Sequence, residues 1–327
     1  MSADHEAGPM SSLVTFGETM LRLSPPPGGR LSRVDRLDVH VGGAESNVAV
    51  AAAALGTDAA WLSALPESPL GRRVAHALRG EGVEPLVTWT DEGRVGTYYY
   101  EPGGKPRGRR VVYDREGTPI RSLDPGDVHS EPLRGAELFL TSGITPALSA
   151  QAVATTGALL ETASDAGTTT ALDVNYRSKL WSPAEARDTL EGLFPAVDVL
   201  FVAERDAREV LDAEGDARAI AHSLAAAHGF ETVVVTRGEA GALAVDDGTV
   251  HERGAVETDT VDPVGSGDAF VGGYLARRLD GAAVPAALSW GVATAALKRT
   301  VAGDAATVTA EEVRRVVDSD ATGDIDR

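Results

Sequence analysis

Apolar residues recur along this chain in two alternating rhythms. Short apolar runs bounded by Gly, Pro or Asp read as buried strands at Leu13–Phe16, Ala59–Leu65, Leu138–Thr141, Thr169–Asp173, Val197–Val202 and Thr232–Thr236. Between them lie longer stretches with helical character. Glu45–Leu55 is Ala-rich and stopped by Gly56, and Pro69–Arg79 is entered through Ser68 as a cap. Further helices are predicted near 149–165, 183–193, 204–213, 216–228, 266–279, 285–300 and 309–318, with a short hairpin at Ala242–Arg253. Strands alternating with helices imply an α/β fold, a doubly wound and mostly parallel sheet with helices on both faces.

Two regions break the alternation. Residues 19–43 and 88–118 contain strand-like runs with no helix between them. Leu37–Val41 alternates into the pair Gly42-Gly43, and Val95–Glu101 and Arg109–Arg115 flank the turn Pro102-Gly103-Gly104, the pattern of a hairpin. They predict a small second sheet at one edge, a lid. The folded unit is then residues 12–318, and the polar ends 1–11 and 319–327 are expected to be disordered.

Composition narrows the function. In 327 residues there are 30 Lys plus Arg against 49 Asp plus Glu, a formal charge of −19, which repels polyphosphate backbones and disfavours nucleic acid as a partner. No cysteine is present, so thiolate chemistry is absent. The longest apolar run, Val48–Leu55, is far short of the roughly 20 residues of a membrane span, and the start lacks a signal-peptide pattern. A cytoplasmic protein with no membrane partner is expected. The acid excess, with lysine only at Lys105, Lys179 and Lys298, suits either a very salty cytoplasm or a GC-rich genome.

The chemistry concentrates in Asp262-Pro263-Val264-Gly265-Ser266-Gly267-Asp268-Ala269-Phe270, just before an apolar helix. Glycines around Ser266 leave backbone N–H groups bare at a helix start, where about half a positive charge resides. Asp268 puts a carboxylate at the rim of this anion cradle, placed to take a proton from an attacking hydroxyl. The histidines form no ligand-spaced pair, so no metal-ligating residue is assigned. Neither a Walker loop nor a dinucleotide fingerprint occurs.

The DPVGSGDAF segment resembles a signature of the PfkB, ribokinase-like carbohydrate kinases, and Gly42-Gly43-Ala44-Glu45-Ser46-Asn47 resembles their second signature. Within that family the runs GETMLRLSPP, GGAESNVAVAAAALG and Asp173-Val174-Asn175-Tyr176-Arg177 with Leu180-Trp181 are most similar to 2-keto-3-deoxygluconate kinases. The resemblance implies a Rossmann-like domain with a β lid, and ATP-dependent phosphorylation of 2-keto-3-deoxygluconate to 2-keto-3-deoxy-6-phosphogluconate with Asp268 as general base. It implies that Gly265, Ser266 and Gly267 hold the transferred charge and that Arg177 steadies the phosphates. Substrate contacts would come from Gly42, Gly43, Asn47, Tyr98, Tyr113, Arg115, Arg177 and Asp268. ATP contacts would come from Asn175, Arg177, Thr236, Gly238, Gly241 and the glycine loop, with Mg2+ carried on the nucleotide.

Two departures from the family pattern stand out. Its N-x-x-E motif falls on Ala203-Glu204-Arg205-Asp206, and an asparagine often beside adenine is absent from Gly291–Ala295. Other readings stay open: the epimer 2-keto-3-deoxygalactonate, another substrate such as fructose, ribose or a nucleoside, a phosphorylated sugar such as a fructose phosphate held by Lys105, Arg107, Arg109 and Arg110, or a non-catalytic sugar-binding sensor. Exposed lid edges suggest a homo-oligomer paired through the lid.

Overall fold

The apolar runs form the centre of a large sheet in the computed structural model, which describes residues 11–104 and 106–322. In chain order the strands are β1 (Leu13–Phe16), β2 (Met20–Ser24), β3 (Asp38–Gly42), β4 (Ala59–Pro66), β5 (Val83–Thr90), β6 (Thr97–Glu101) and β7 (Arg110–Asp114). There follow β8 (Leu138–Ser142), β9 (Thr169–Asp173), β10 (Val199–Ala203), β11 (Thr232–Thr236), β12 (Ala242–Asp246) and β13 (Thr249–Arg253). The helices are α1 (Ala44–Ala54), α2 (Pro69–Gly80), α3 (Ala150–Asp165), α4 (Pro183–Leu193), α5 (Glu204–Val210), α6 (Ala217–His228), α7 (Ser266–Leu279), α8 (Val284–Arg299) and α9 (Ala310–Thr322).

Among the described residues, nine strands make the large sheet in the order β13-β12-β11-β10-β9-β8-β1-β4-β5. Pairing is parallel from β11 to β5 and antiparallel through the β11–β12–β13 edge. Alternation along each strand divides the core. Val14, Phe16, Ala60, Leu62, Phe139 and Leu172 pack with apolar residues of α3, α4, α5 and α6, whereas Leu13, Trp61, Leu140 and Phe201 pack with those of α1, α2, α7 and α8. Each face of the sheet is thereby covered by its own layer of helices.

The lid is a separate sheet in the order β3-β2-β6-β7. Its β6–β7 hairpin pairs Tyr98 with Tyr113, and β2 runs parallel to β6 although the two are far apart in sequence. The sequence reading assigned residues 88–118 to the lid, and this needs correction: Val83–Thr90 is β5, the edge strand of the large sheet beside β4. Its Pro85 and Glu84 disguise it, since proline within an apolar run speaks against a strand but is tolerated at a sheet edge.

The expected C-terminal tail also shortens, because α9 continues to Thr322. The expectations of disorder for 1–10 and 323–327 lie outside the described residues, as does Lys105. Among the described residues, no helix is long and apolar enough to cross a membrane.

Candidate active site

A cavity of about 610 Å³ opens between the lid and the carboxyl ends of the central strands, within the usual size of a small-molecule site. The strand order reverses around β1, the place where doubly wound sheets bind ligands. Glu18 follows β1, Asp173 ends β9, Ala203 ends β10 and Thr236 ends β11, and all four line the cavity.

The floor is the glycine loop. Gly265 caps α7 with φ +80°, and a side chain there would run into the carbonyl of Asp304, so glycine is required twice over. Nothing lies within 4 Å of where a Gly267 Cβ would sit, and Gly267 lines the cavity, so its missing side chain leaves room for a ligand. Ser266 does not line the cavity. Its Oγ and N–H both donate to the carbonyl of Pro263, at 2.9 and 3.3 Å, which takes it out of the expected cradle. Gly267 and Asp268 occupy the second and third positions of the helix, where N–H groups have no intrahelical acceptor and are left for an anion.

Asp268 is 8 % exposed and faces the cavity. Burial raises its pKa above the ordinary carboxylate value, and the Asn47 hydrogen bond and the charge of Arg177 offset part of that rise. Asn47 Nδ2 donates to Asp268 Oδ2 at 2.7 Å, so the two signature segments meet here. The glycine pair before α1 permits the meeting. A Cβ at Gly43 would collide with the carbonyl of Glu18, and one at Gly42 with the Asp304 carboxylate.

The segment after β9 carries Arg177. Asn175 takes φ +37°, a left-handed turn that asparagine tolerates, and its N–H donates to Asp173 Oδ1 at 3.3 Å. Buried Tyr176 donates its hydroxyl to the carbonyl of Trp181 at 3.2 Å, which pins the loop and leaves Arg177 exposed at the cavity wall. Asp173 is pushed up to about 8, chiefly by burial and then by the nearby charge of Asp268.

Lid residues complete the roof. Tyr98 and Tyr113 stack obliquely with ring centres 5.9 Å apart, and both line the cavity. The Tyr98 hydroxyl donates to Asp304, so Tyr98 offers its ring to a ligand rather than its hydroxyl. Arg115 lines the cavity but already has a carboxylate partner: Nε donates to Glu18 Oε2 at 2.9 Å and Nη2 to the same oxygen. Lys179 reaches from the body to the Val111 carbonyl of the lid at 2.7 Å.

Thr236 reaches the cavity, but Gly238 and Gly241 do not line it. They form the left-handed turn between β11 and β12, where a Gly241 side chain would strike the carbonyl of Arg253. Asp206, at the altered metal motif, is buried, lines the cavity and pairs with Arg205 at 2.7 Å. The Gly291–Ala295 stretch lies on α8, and Gly291 packs directly on Phe270 of α7.

Sequence reasoning missed a buried network that joins lid to floor. Arg22, on β2, donates to Asp262 at 2.6 Å and to Asp304, with its guanidinium 4.2 Å from the Tyr100 ring centre. Glu45, on α1, accepts from Ser142 at 2.6 Å and Thr145 at 2.8 Å, and burial pushes it up to about 7. Glu18 Oε1 is buried without a hydrogen-bond partner beside the cavity.

Comparison with known proteins gives a consistent result. A family model described as pfkB family carbohydrate kinase matches residues 10–311. Over 307 residues the chain is 58 % identical to 2-dehydro-3-deoxygalactonokinase of Haloferax volcanii, covering 94 % of this chain and 96 % of that one. It is 32 % identical over 299 residues to 2-dehydro-3-deoxygluconokinase of Thermoproteus tenax, covering 90 % of each. The crystal structure of 2-dehydro-3-deoxygluconokinase from Thermotoga maritima superposes with a TM-score of 0.88 at 33 % identity, covering 94 % of this chain and 98 % of that one.

Proposed function

The chain belongs to the pfkB family of carbohydrate kinases, and on that premise we propose that it transfers the γ-phosphoryl group of ATP to the terminal hydroxyl of a 2-keto-3-deoxyhexonate. The observation that carries this reading is the Asp268 carboxylate, held by Asn47 at the mouth of an amide-lined helix start and facing a cavity between lid and body. Asp268 takes the proton of the sugar hydroxyl as the oxygen attacks phosphorus. The N–H groups of Gly267 and Asp268 receive charge developing on the transferred group, and Arg177 steadies the phosphates. A base with a raised pKa is better matched to neutral pH than an ordinary aspartate.

Mg2+ fits this site as a passenger on the nucleotide. Asp173 and Asp206 both line the cavity, and such a pair would hold the ion through its waters, as Mg2+ prefers. When bound it would neutralise phosphate charge.

The keto-acid carboxylate finds cations at the lid, in a chain otherwise strongly acidic. Arg115→Ala is expected to raise KM for keto-acid sugars by about tenfold or more and to leave KM for neutral sugars within about twofold. Truncation removes a cation and leaves Glu18 facing the substrate carboxylate. Equal shifts in initial-rate kinetics on both classes would remove Arg115 from this role.

The likeness to the galactonate-named enzyme ranks the galactonate-derived epimer first, and the gluconate-derived epimer is the second reading. A coupled ADP-release assay on a sugar panel tests both. We expect the highest kcat/KM on one of these two epimers, and preference for fructose, ribose or a nucleoside would overturn the substrate class. A phosphorylated sugar has less support, since Arg107 turns to the Pro102 carbonyl and only Arg109, among the described lid residues named for that role, lines the cavity. Pairing of two copies through the lid belongs to the proposal as well, supported by exposed Val39 and Val112 on its edge strands.

A further inference from the structure

The kinase reading uses the front of the glycine loop, but a buried charge lies behind it. Lys298, in the last turn of α8, is 0 % exposed. Lysines are almost never fully buried without partners, because the ammonium must give up its water. Here Nζ donates to the carbonyl of Asp262 at 3.1 Å and to that of Val301 at 3.3 Å. Those carbonyls belong to the two segments that build the floor. Asp262 opens the loop that ends at Asp268, and Val301 leads into the turn at Gly303 and Asp304.

The same segments meet again farther along. Gly303 N–H donates to Asp262 Oδ2 at 3.3 Å, and the Asp304 carbonyl lies against the bare Cα of Gly265. Asp262 therefore takes one cation, Arg22, on its carboxylate and another, Lys298, on its carbonyl. Both its side chain and its peptide plane are fixed.

Stability alone would be served as well by an apolar chain of similar volume. Such a chain cannot supply a positive charge within electrostatic reach of Asp268, as Lys298 does. We propose that Lys298 is a positioning residue for phosphoryl transfer: its buried ammonium locks the Asp262–Asp268 loop to the turn at Asp304 and backs the loop's amides with a positive charge. The proposal rests on the reading of that loop as the phosphate cradle.

Burial lowers the Lys298 ammonium to about 8. The charged groups facing it are Asp262 on the loop, Arg22 on β2 and Asp268 on α7, with Arg299 its neighbour on α8; the two acids hold the proton on and Arg22 drives it off. Below that pH the ammonium is charged, and above it the charge and a donor are lost. The wild-type kcat/KM, which reports the free enzyme, is therefore expected to fall through a limb near pH 8. Bound polyanion holds the proton more tightly, so the corresponding limb in kcat lies at higher pH.

The experiment uses ATP and 2-keto-3-deoxygalactonate at constant ionic strength, with circular dichroism to establish folding. Lys298→Met is expected to lower kcat by about 10- to 100-fold, less than the ~10²–10³ of a direct oxyanion donor, and to abolish the limb. A folded Met variant within about threefold of wild type, or a wild-type kcat/KM flat between about pH 7 and 9.5, overturns the proposal. Should the Met variant not fold, Lys298→Gln, which keeps a donor but removes the charge, is judged by the same two criteria. Asp268→Asn is assayed alongside: if it is inactive while Lys298→Met is fully active, only this proposal fails, and if it stays active, the cradle reading itself fails.

Discussion

Asp268→Asn is expected to lower kcat by at least about a hundredfold while leaving ATP affinity and the fold nearly unchanged, the ordinary size of a general-base contribution being ~10²–10⁴. The amide is isosteric with the carboxylate, and its oxygen can still accept from Asn47 Nδ2, so the local geometry survives. What disappears is the proton acceptor. Stability should not fall. Asp268 has a raised pKa in the folded state, so it binds its proton more tightly folded than unfolded. Such an acid costs stability as pH rises from the unfolded value through the folded one, and the neutral amide removes that cost. A melting temperature at pH 8 equal to or above wild type, with turnover lost, is the combined signature. Near-normal turnover in a pure preparation would remove Asp268 from the chemistry.

Arg22→Leu is expected to destabilise the protein by about 3–5 kcal/mol near neutral pH, the typical result of removing one member of a buried ion cluster. Two nearly buried carboxylates, Asp262 and Asp304, lose their cation together. The sign of the pH effect follows from the acids left behind. Burial already holds the Asp304 carboxyl above its ordinary value and Arg22 offsets part of that rise; without Arg22 it rises further, and an acid with a raised folded pKa loses stability as pH increases through that range. The gap in melting temperature between wild type and variant should therefore be wider at pH 8 than at pH 5. A deficit below about 1 kcal/mol at both values would show that the cluster carries little of the fold's stability.

The alternation of runs predicted the layered body because strands and helices differ in period, and period is a local property. Ser68 illustrates how well local chemistry reads: its side chain accepts from Gly71 N–H at 3.1 Å, as a cap should. The glycine loop was legible for the same reason, since anion binding at a helix start needs only neighbouring residues. β5 was missed because Pro85 obscured a strand that only its position at the sheet edge permits. Arg22 and Lys298 were missed for a different reason. Arg22 sits 240 and 282 residues from its two acids, and Lys298 resembles an ordinary basic residue ending a helix. The pairing of Arg115 with Glu18, 97 residues away, was likewise out of reach. Pairings at such separations leave no trace in periodicity.

The union of Arg22 with Asp304 also carries a consequence for biosynthesis. Domains acquire structure as they emerge from the ribosome, amino end first. Arg22 leaves the ribosome 282 residues ahead of its second acid. The tie between roof and floor therefore waits for that late carboxylate. A chain cut before Asp304 would lack the tie altogether.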